Sequence, residues 1–217
     1  MSKINYTYDP KLLVKYFQSQ EGLEQDGIFG VQTLKHMLAG VVDRSPMPFL
    51  DPPTGGKALA PTITSGHCKR NGDRPTHYGV DFFYPYQEWM GTVPKGDGGA
   101  AYSGGKPKWW VPDRTQCRSV MNGTVTMVDK TKTGWRIWIS SSVVPNFYAG
   151  YFHLSAIMDG LKVGSEVEAG EELGTVGDNP SDFDARHLHF ELYYGDLREY
   201  PKGSLDPQEI APNIFLR

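Results

Sequence analysis

Two spacings of hydrophobic residues divide the chain. From Asp9-Pro10 onward, Leu12, Leu13, Tyr16 and Phe17 recur at three- and four-residue intervals, which predicts a short amphipathic helix. Asp26-Gly27 supplies turn chemistry and Ile28 and Phe29 supply apolar anchors. The stretch from Val31 to Leu38 then resumes a helical pattern, with Leu34 and Leu38 one turn apart. Residues 1–40 therefore read as a small α-helical module. Pro46, Pro48, Pro52, Pro53, Gly55 and Gly56 crowd residues 41–60, which read as a Pro/Gly-rich linker.

After residue 60 the pattern changes to short runs of β-branched and aromatic residues separated by Gly, Asn and Asp. The expected strands are Tyr78 to Tyr84, Thr124 to Val128, Trp135 to Ser140, Phe147 to Leu154, Glu172 to Val176 and Leu188 to Tyr193. The fold class is thus mainly β, an antiparallel sandwich or barrel-like domain over 61–217 behind the helical module. Between Pro85 and Arg114 lies a Gly- and Pro-rich interval holding Trp89, Trp109 and Trp110. It is too long for a routine connection and reads as a structured functional loop, its tryptophans either stacking on a ligand or forming a small core.

Composition narrows the function classes. The chain has 217 residues with 39% hydrophobic and 12% aromatic side chains, ample for a folded core. A net charge of -3 from 22 basic and 25 acidic residues leaves no basic stripe, so nucleic acid is not an expected partner. No window approaches the roughly 18 apolar residues of a membrane span. The run from Met1 to Tyr8 has no apolar stretch resembling an export signal, and a soluble monomer is expected. Cys68 and Cys117 lack Cys-x-x-Cys spacing, which argues against a cysteine metal site. Two inert thiols are the default reading and a disulfide the alternative.

Of six histidines, four fall in three compact motifs: His77-Tyr78-Gly79-Val80-Asp81, Tyr151-Phe152-His153-Leu154-Ser155 and Arg186-His187-Leu188-His189-Phe190-Glu191. His187 and His189 alternate as strand residues do, so both face one groove about 7 Å apart. His77 and Asp81 would be about 13 Å apart on an extended strand. Two ligands of one zinc ion lie within roughly 4 Å of each other, so a shared metal requires the backbone to bend between them, cheaply at Gly79. Each motif alone has a plainer reading. A lone His-x-His is more often a solvated or hydrogen-bonded pair, the His77 to Asp81 spacing arises freely by chance, and His153 fits a satisfied half-buried histidine. Their coincidence and order carry the case.

With these motifs, residues 61–200 closely resemble the lysostaphin-like, or LytM-type, zinc endopeptidases. Ile63-Thr64-Ser65-Gly66 resembles the family's opening, and the His77, His153 and His187 motifs its three histidine motifs in order. The stretch from Val163 to Gly174 resembles the approach to the last of these. The resemblance implies one Zn2+ per chain held by His77, Asp81 and His189, an open fourth position, and His153 and His187 as catalytic residues facing water and substrate. It implies hydrolysis of peptide bonds in bacterial peptidoglycan without a covalent enzyme intermediate. Separately, Gln18 and Asp26-Gly27-Ile28-Phe29-Gly30-Val31-Gln32-Thr33, within residues 8–40, resemble helical peptidoglycan-binding domains; an ordinary helical hairpin is the plainer alternative.

Two departures bear on substrate choice. Asp178 to Arg186 replaces the usual Gly-rich lead into the final motif, and the Pro85 to Arg114 insertion narrows or extends the groove. Asp182 and Asp184 either approach the metal or are solvated loop carboxylates. The competing functions are a non-catalytic wall-binding or regulatory relative, which typically loses ligands kept here, and a cupin-like metalloprotein, whose His-x-His comes early. The combination suggests a bacteriophage lysin, released from the host cytoplasm or carried on a virion, acting at the wall in the periplasm or outside. A bacterial enzyme exported by another route is the alternative.

Overall fold

The protein is described by a computed structural model that covers residues 10–28, 30, 32, 33, 36, 50, 51, 61–67, 76–90, 102, 103, 106, 107, 109–112, 114–176 and 187–211. Helix α1, Pro10–Gln20, starts on the proline expected to open it, whose fixed φ suits a first helical position. Gly22, at φ +67°, closes the helix in a left-handed conformation, and the Leu23 N–H returns to the Gln18 carbonyl at 2.8 Å. Gln32, Thr33 and His36 are helical again.

Among the described residues, two of the expected apolar positions face outward. Tyr16 and Ile28 are 65% and 62% exposed. The buried Gln18 amide ties the helix to the turn that follows. Its Nε2 lies 2.7 Å from Asp26 Oδ1, 3.0 Å from the Ile28 carbonyl and 3.1 Å from Thr33 Oγ1, and its Oε1 accepts from the Gly27 N–H. A buried amide must satisfy its polar atoms, so the 26–33 turn wraps around it. Phe29, Leu34 and Leu38 lie outside the described residues, as do Leu12 and Leu13 side chains.

Most of the rest is antiparallel β-structure, in the short β-branched and aromatic runs expected to form strands. The strands are β1 Leu50–Asp51, β2 Thr62–Ser65, β3 Val80–Pro85, β4 Tyr102–Ser103, β5 Lys106–Pro107, β6 Trp109–Trp110, β7 Thr115–Arg118, β8 Gly123–Thr131, β9 Gly134–Ser141, β10 Phe147–Ile157, β11 Glu166–Val167, β12 Glu172–Val176, β13 Leu188–Tyr194 and β14 Ser204–Leu205. The main sheet runs β1-β7-β12-β10-β13-β3-β2, with β8, β9, β11, β14 and β6 joined to it. The six expected strands are all present, most of them longer than the sequence pattern indicated. Leu50 and Asp51, within the expected linker, pair with Cys117 and Gln116 on β7.

One face of the sheet is the core. Ile137 and Ile139 of β9, Ala149 and Tyr151 of β10, Leu188, Phe190 and Leu192 of β13, and Val80 and Phe82 of β3 are all buried together. Inside it, the Tyr151 hydroxyl accepts the Val120 N–H at 2.8 Å. Cys117 carries a free thiol at zero exposure, which burial pushes well above its ordinary pKa; Cys68 lies outside the described residues. In the Pro85 to Arg114 interval, Trp110 is buried against Tyr86 and Met90, Trp109 packs on the main core, and Trp89 is partly exposed. Two of the three tryptophans thus serve packing. No described helix is long and apolar enough to cross a membrane.

Candidate metal centre

The centre is built on the opposite face of β13. Alternation sends Leu188, Phe190 and Leu192 into the core and His189, Glu191 and Tyr193 the other way. In register, His189 stands opposite Asp81 on β3 and Phe152 on β10, so the two ligand candidates start as cross-strand neighbours. His77 is brought to them by a bend before β3.

That bend falls at Gly79, where the spacing demands one. Its chemical reason is different from the one expected, because the φ of Gly79 is not positive. A Cβ there would sit 2.3 Å from the Phe190 carbonyl oxygen, 2.8 Å from Glu191 Cγ and 3.0 Å from His189 Nε2. Glycine is needed for close approach to β13 and not for backbone freedom.

Three ligand atoms converge. His77 Nε2 lies 3.0 Å from Asp81 Oδ1 and 3.0 Å from His189 Nδ1, and His189 Nδ1 lies 2.8 Å from Asp81 Oδ1. Each imidazole is oriented through its other nitrogen. The Gly66 carbonyl can only accept, so His77 carries a proton on Nδ1 and donates it at 2.8 Å, leaving its Nε2 lone pair toward the centre. His189 Nε2 donates to Glu191 Oε1 at 2.8 Å. A tetrahedral zinc ion with bonds of about 2.0–2.1 Å spaces its ligand atoms about 3.3 Å apart, so the set fits after opening by a few tenths of an ångström. Two nitrogens, one carboxylate oxygen and acceptors behind both imidazoles suit zinc chemistry.

The other two histidines adjoin this set. His187 Nε2 lies 3.3 Å from Asp81 Oδ1, and its ring stacks on Phe83 at 5.2 Å. The His153 ring lies 4.8 Å from that of His187 and 5.8 Å from that of His189. Its Nδ1–H donates to the Thr133 carbonyl at 3.1 Å, which puts the lone pair on Nε2. His153 has φ +66° in the middle of β10. There the strand changes partners: residues 147–152 pair with β13, and residues 154–157 pair with β12. A non-glycine residue in this region is strained, and such strain collects at functional sites.

Electrostatics separate the groups. Burial works against the Asp81 carboxylate, but the imidazoles of His187, His189 and His77 gathered around it overcome it and hold its pKa far below the usual range. Burial likewise disfavours protonated His189, but Asp81 and Glu191 on its two sides outweigh it and push it up to about 9. Burial, reinforced by His187 and His189, pushes His153 down to about 3, so it is a neutral imidazole near pH 7.

All five residues singled out from the sequence therefore meet in one place. Asp182 and Asp184 lie outside the described residues. Sequence reading gave no role to Glu191 or Tyr200. Alternation from His189 places Glu191 on the same face and was a usable signal; nothing in the sequence brings Tyr200 near.

Residues 108–201 match Peptidase family M23, a span that takes in His153, His187 and His189 and begins beyond His77 and Asp81. Among curated proteins nothing matches. Solved structures of similar shape include lysostaphin from Staphylococcus simulans, at 19% identity and TM-score 0.49, covering 72% of this chain and 50% of that one. The catalytic domain of the prophage-encoded M23 protein EnpA from Enterococcus faecalis, in a mutant form, gives 24% identity and TM-score 0.46, with 73% and 95% covered. A zinc-containing peptidase from Vibrio cholerae gives 21% and 0.43, with 69% and 39% covered. The chain thus spans half the length of the lysostaphin chain. The histidine motifs assemble at one centre, and the stretch holding two of the three is the one that is similar to Peptidase family M23.

Proposed function

We propose that this protein is a zinc-dependent endopeptidase that hydrolyses peptide bonds of bacterial peptidoglycan, with His77, Asp81 and His189 as metal ligands. The carrying observation is the convergence of His77 Nε2, Asp81 Oδ1 and His189 Nδ1 within 3.0 Å of one another, beside two further histidines. Bound zinc would acidify a water and polarise the scissile carbonyl. His153, neutral with its lone pair on Nε2, accepts a hydrogen bond or proton from the attacking water. His187, held toward Asp81, donates to the oxygen on which negative charge develops. Phe83 beneath the His187 ring limits its rotation.

The test is metal analysis together with loss of turbidity of a cell-wall suspension. About one zinc per chain and clearing that stops with chelator are expected; full activity of metal-free protein would end the proposal. Residues 1–40 are proposed to hold the enzyme on the wall, supported by the Asp26 to Thr33 motif and by a cavity of about 300 Å3 that Gln18, Asp26, Ile28 and Thr33 help to line. Deleting them should weaken pull-down on insoluble wall and leave cleavage of a small soluble peptide intact. A wall-binding unit joined to a peptidase favours a lysin role, in a phage or a bacterium. Mass spectrometry of fragments released from defined peptidoglycans identifies the bond.

A further inference from the structure

Behind the metal centre, on the same face of β13, lies a buried acid that the mechanism above does not use. Glu191 is 2% exposed, and its Oε1 receives two hydrogen bonds, from His189 Nε2 at 2.8 Å and from the Tyr200 hydroxyl at 2.9 Å. Its Oε2 has no hydrogen-bond partner among the described residues. A buried carboxylate is costly unless a positive charge or strong donors face it. Those that face it here are one metal-ligand candidate and one tyrosine.

The approach of Tyr200 is constructed by the chain that follows β13. After Tyr194 the backbone turns through Gly195, at φ +131°, and a 3-10 turn over Leu197–Glu199. It then returns as β14, which pairs with Leu192 and Tyr193 of the same strand. Tyr200 is thereby laid over the face that carries His189. Its ring is fixed among Trp138 at 5.7 Å, Tyr193 at 5.9 Å and Tyr78 at 6.0 Å. On the other side, the missing Cβ of Gly79 makes room for Glu191 Cγ, and any larger residue would push the carboxylate off His189.

We infer that Tyr200 and Glu191 form a relay of positioning residues that orients His189 toward the metal: Tyr200 fixes the carboxylate, and the carboxylate fixes the imidazole. This rests on the reading of His189 as a zinc ligand. A carboxylate on the far nitrogen of a metal-bound histidine sets its tautomer and strengthens it as a donor, and loss of such a partner costs about 10- to 100-fold in metal affinity. The tyrosine acts one step further out and is worth a single hydrogen bond.

The experiment uses the full zinc-loaded chain and its Glu191→Gln and Tyr200→Phe variants. Zinc release into excess chelator and the imidazole N–H signals in NMR are the readouts. Glu191→Gln, which keeps the size and loses the charge, is expected to release zinc about 10-fold faster. Tyr200→Phe, which keeps the ring packing, is expected to release it about 2- to 10-fold faster. In both, the His189 Nε2–H signal should move while the His77 Nδ1–H signal, held by the Gly66 carbonyl, stays in place as a mark of an intact fold. If Glu191→Gln does not fold, Tyr200→Phe decides alone. Release at the wild-type rate with an unmoved His189 signal overturns the relay and leaves the zinc reading standing. A wild-type chain that takes up no zinc overturns both.

Discussion

Zinc binding should be coupled to release of a proton from His189. In the metal-free protein its imidazole lies between Asp81 Oδ1 and Glu191 Oε1, each at 2.8 Å, and is pushed up to about 9. At pH 7 that imidazole is about 99% protonated, and zinc must displace the proton from Nδ1. The competition weakens apparent affinity about 100-fold at pH 7, on the order of 3 kcal/mol, and apparent affinity rises about tenfold per pH unit until about pH 9. Asp81 adds no slope in this window, because it is ionised throughout. The same proton stabilises the metal-free fold. A histidine raised from about 6.5 to about 9 contributes fully below pH 6.5, and that contribution, on the order of 3 kcal/mol, fades as pH rises through 9. NMR titration of the metal-free protein reads the His189 midpoint directly, and chemical denaturation at pH 6.5 and pH 9 reads the stability. A His189 midpoint at or below pH 7, or metal-free stability that does not fall toward pH 9, would refute this reasoning.

Replacing His189 or His187 with Ala should abolish most activity for different reasons: His189→Ala should lose zinc, whereas His187→Ala should keep it while turnover falls about 10²–10⁴-fold, as metal analysis beside kinetics would show. Gly79→Ala places a methyl 2.3 Å from the Phe190 carbonyl oxygen and should cost both thermal stability and zinc occupancy; a variant with unchanged melting and full zinc would contradict the close approach. Tyr151→Phe leaves the buried Val120 N–H without its acceptor and should destabilise by about 1–3 kcal/mol in denaturant titration, with zinc content unaffected.

The strands were legible because β-branched and aromatic residues gather in short runs between Gly, Asn and Asp, and the two-residue period of a strand put His189 on the face away from the core. The meeting of His77 with Asp81 was also legible, because metal geometry demands a bend and a glycine stands where it falls. What that glycine does was hidden: its constraint comes from Phe190 and Glu191, more than 100 positions away, and no local pattern encodes that contact. Ile28 illustrates the opposite error. It reads as an anchor, yet it faces outward while a polar Gln18 ties the helix to that turn, and hydropathy cannot rank one well-satisfied amide above an isoleucine. Tyr200 was illegible because its arrival depends on the path of the turn after β13.

With His153 in its proposed catalytic role, the left-handed backbone there sets stability against activity at one position. Glycine would adopt φ +66° without strain and recover on the order of 1 kcal/mol, so the fold alone would be better served by a residue with no imidazole. Selection for robustness and selection for hydrolysis therefore pull in opposite directions at residue 153. Glycine at this position in a descendant would mark one that had exchanged catalysis for a sturdier sheet.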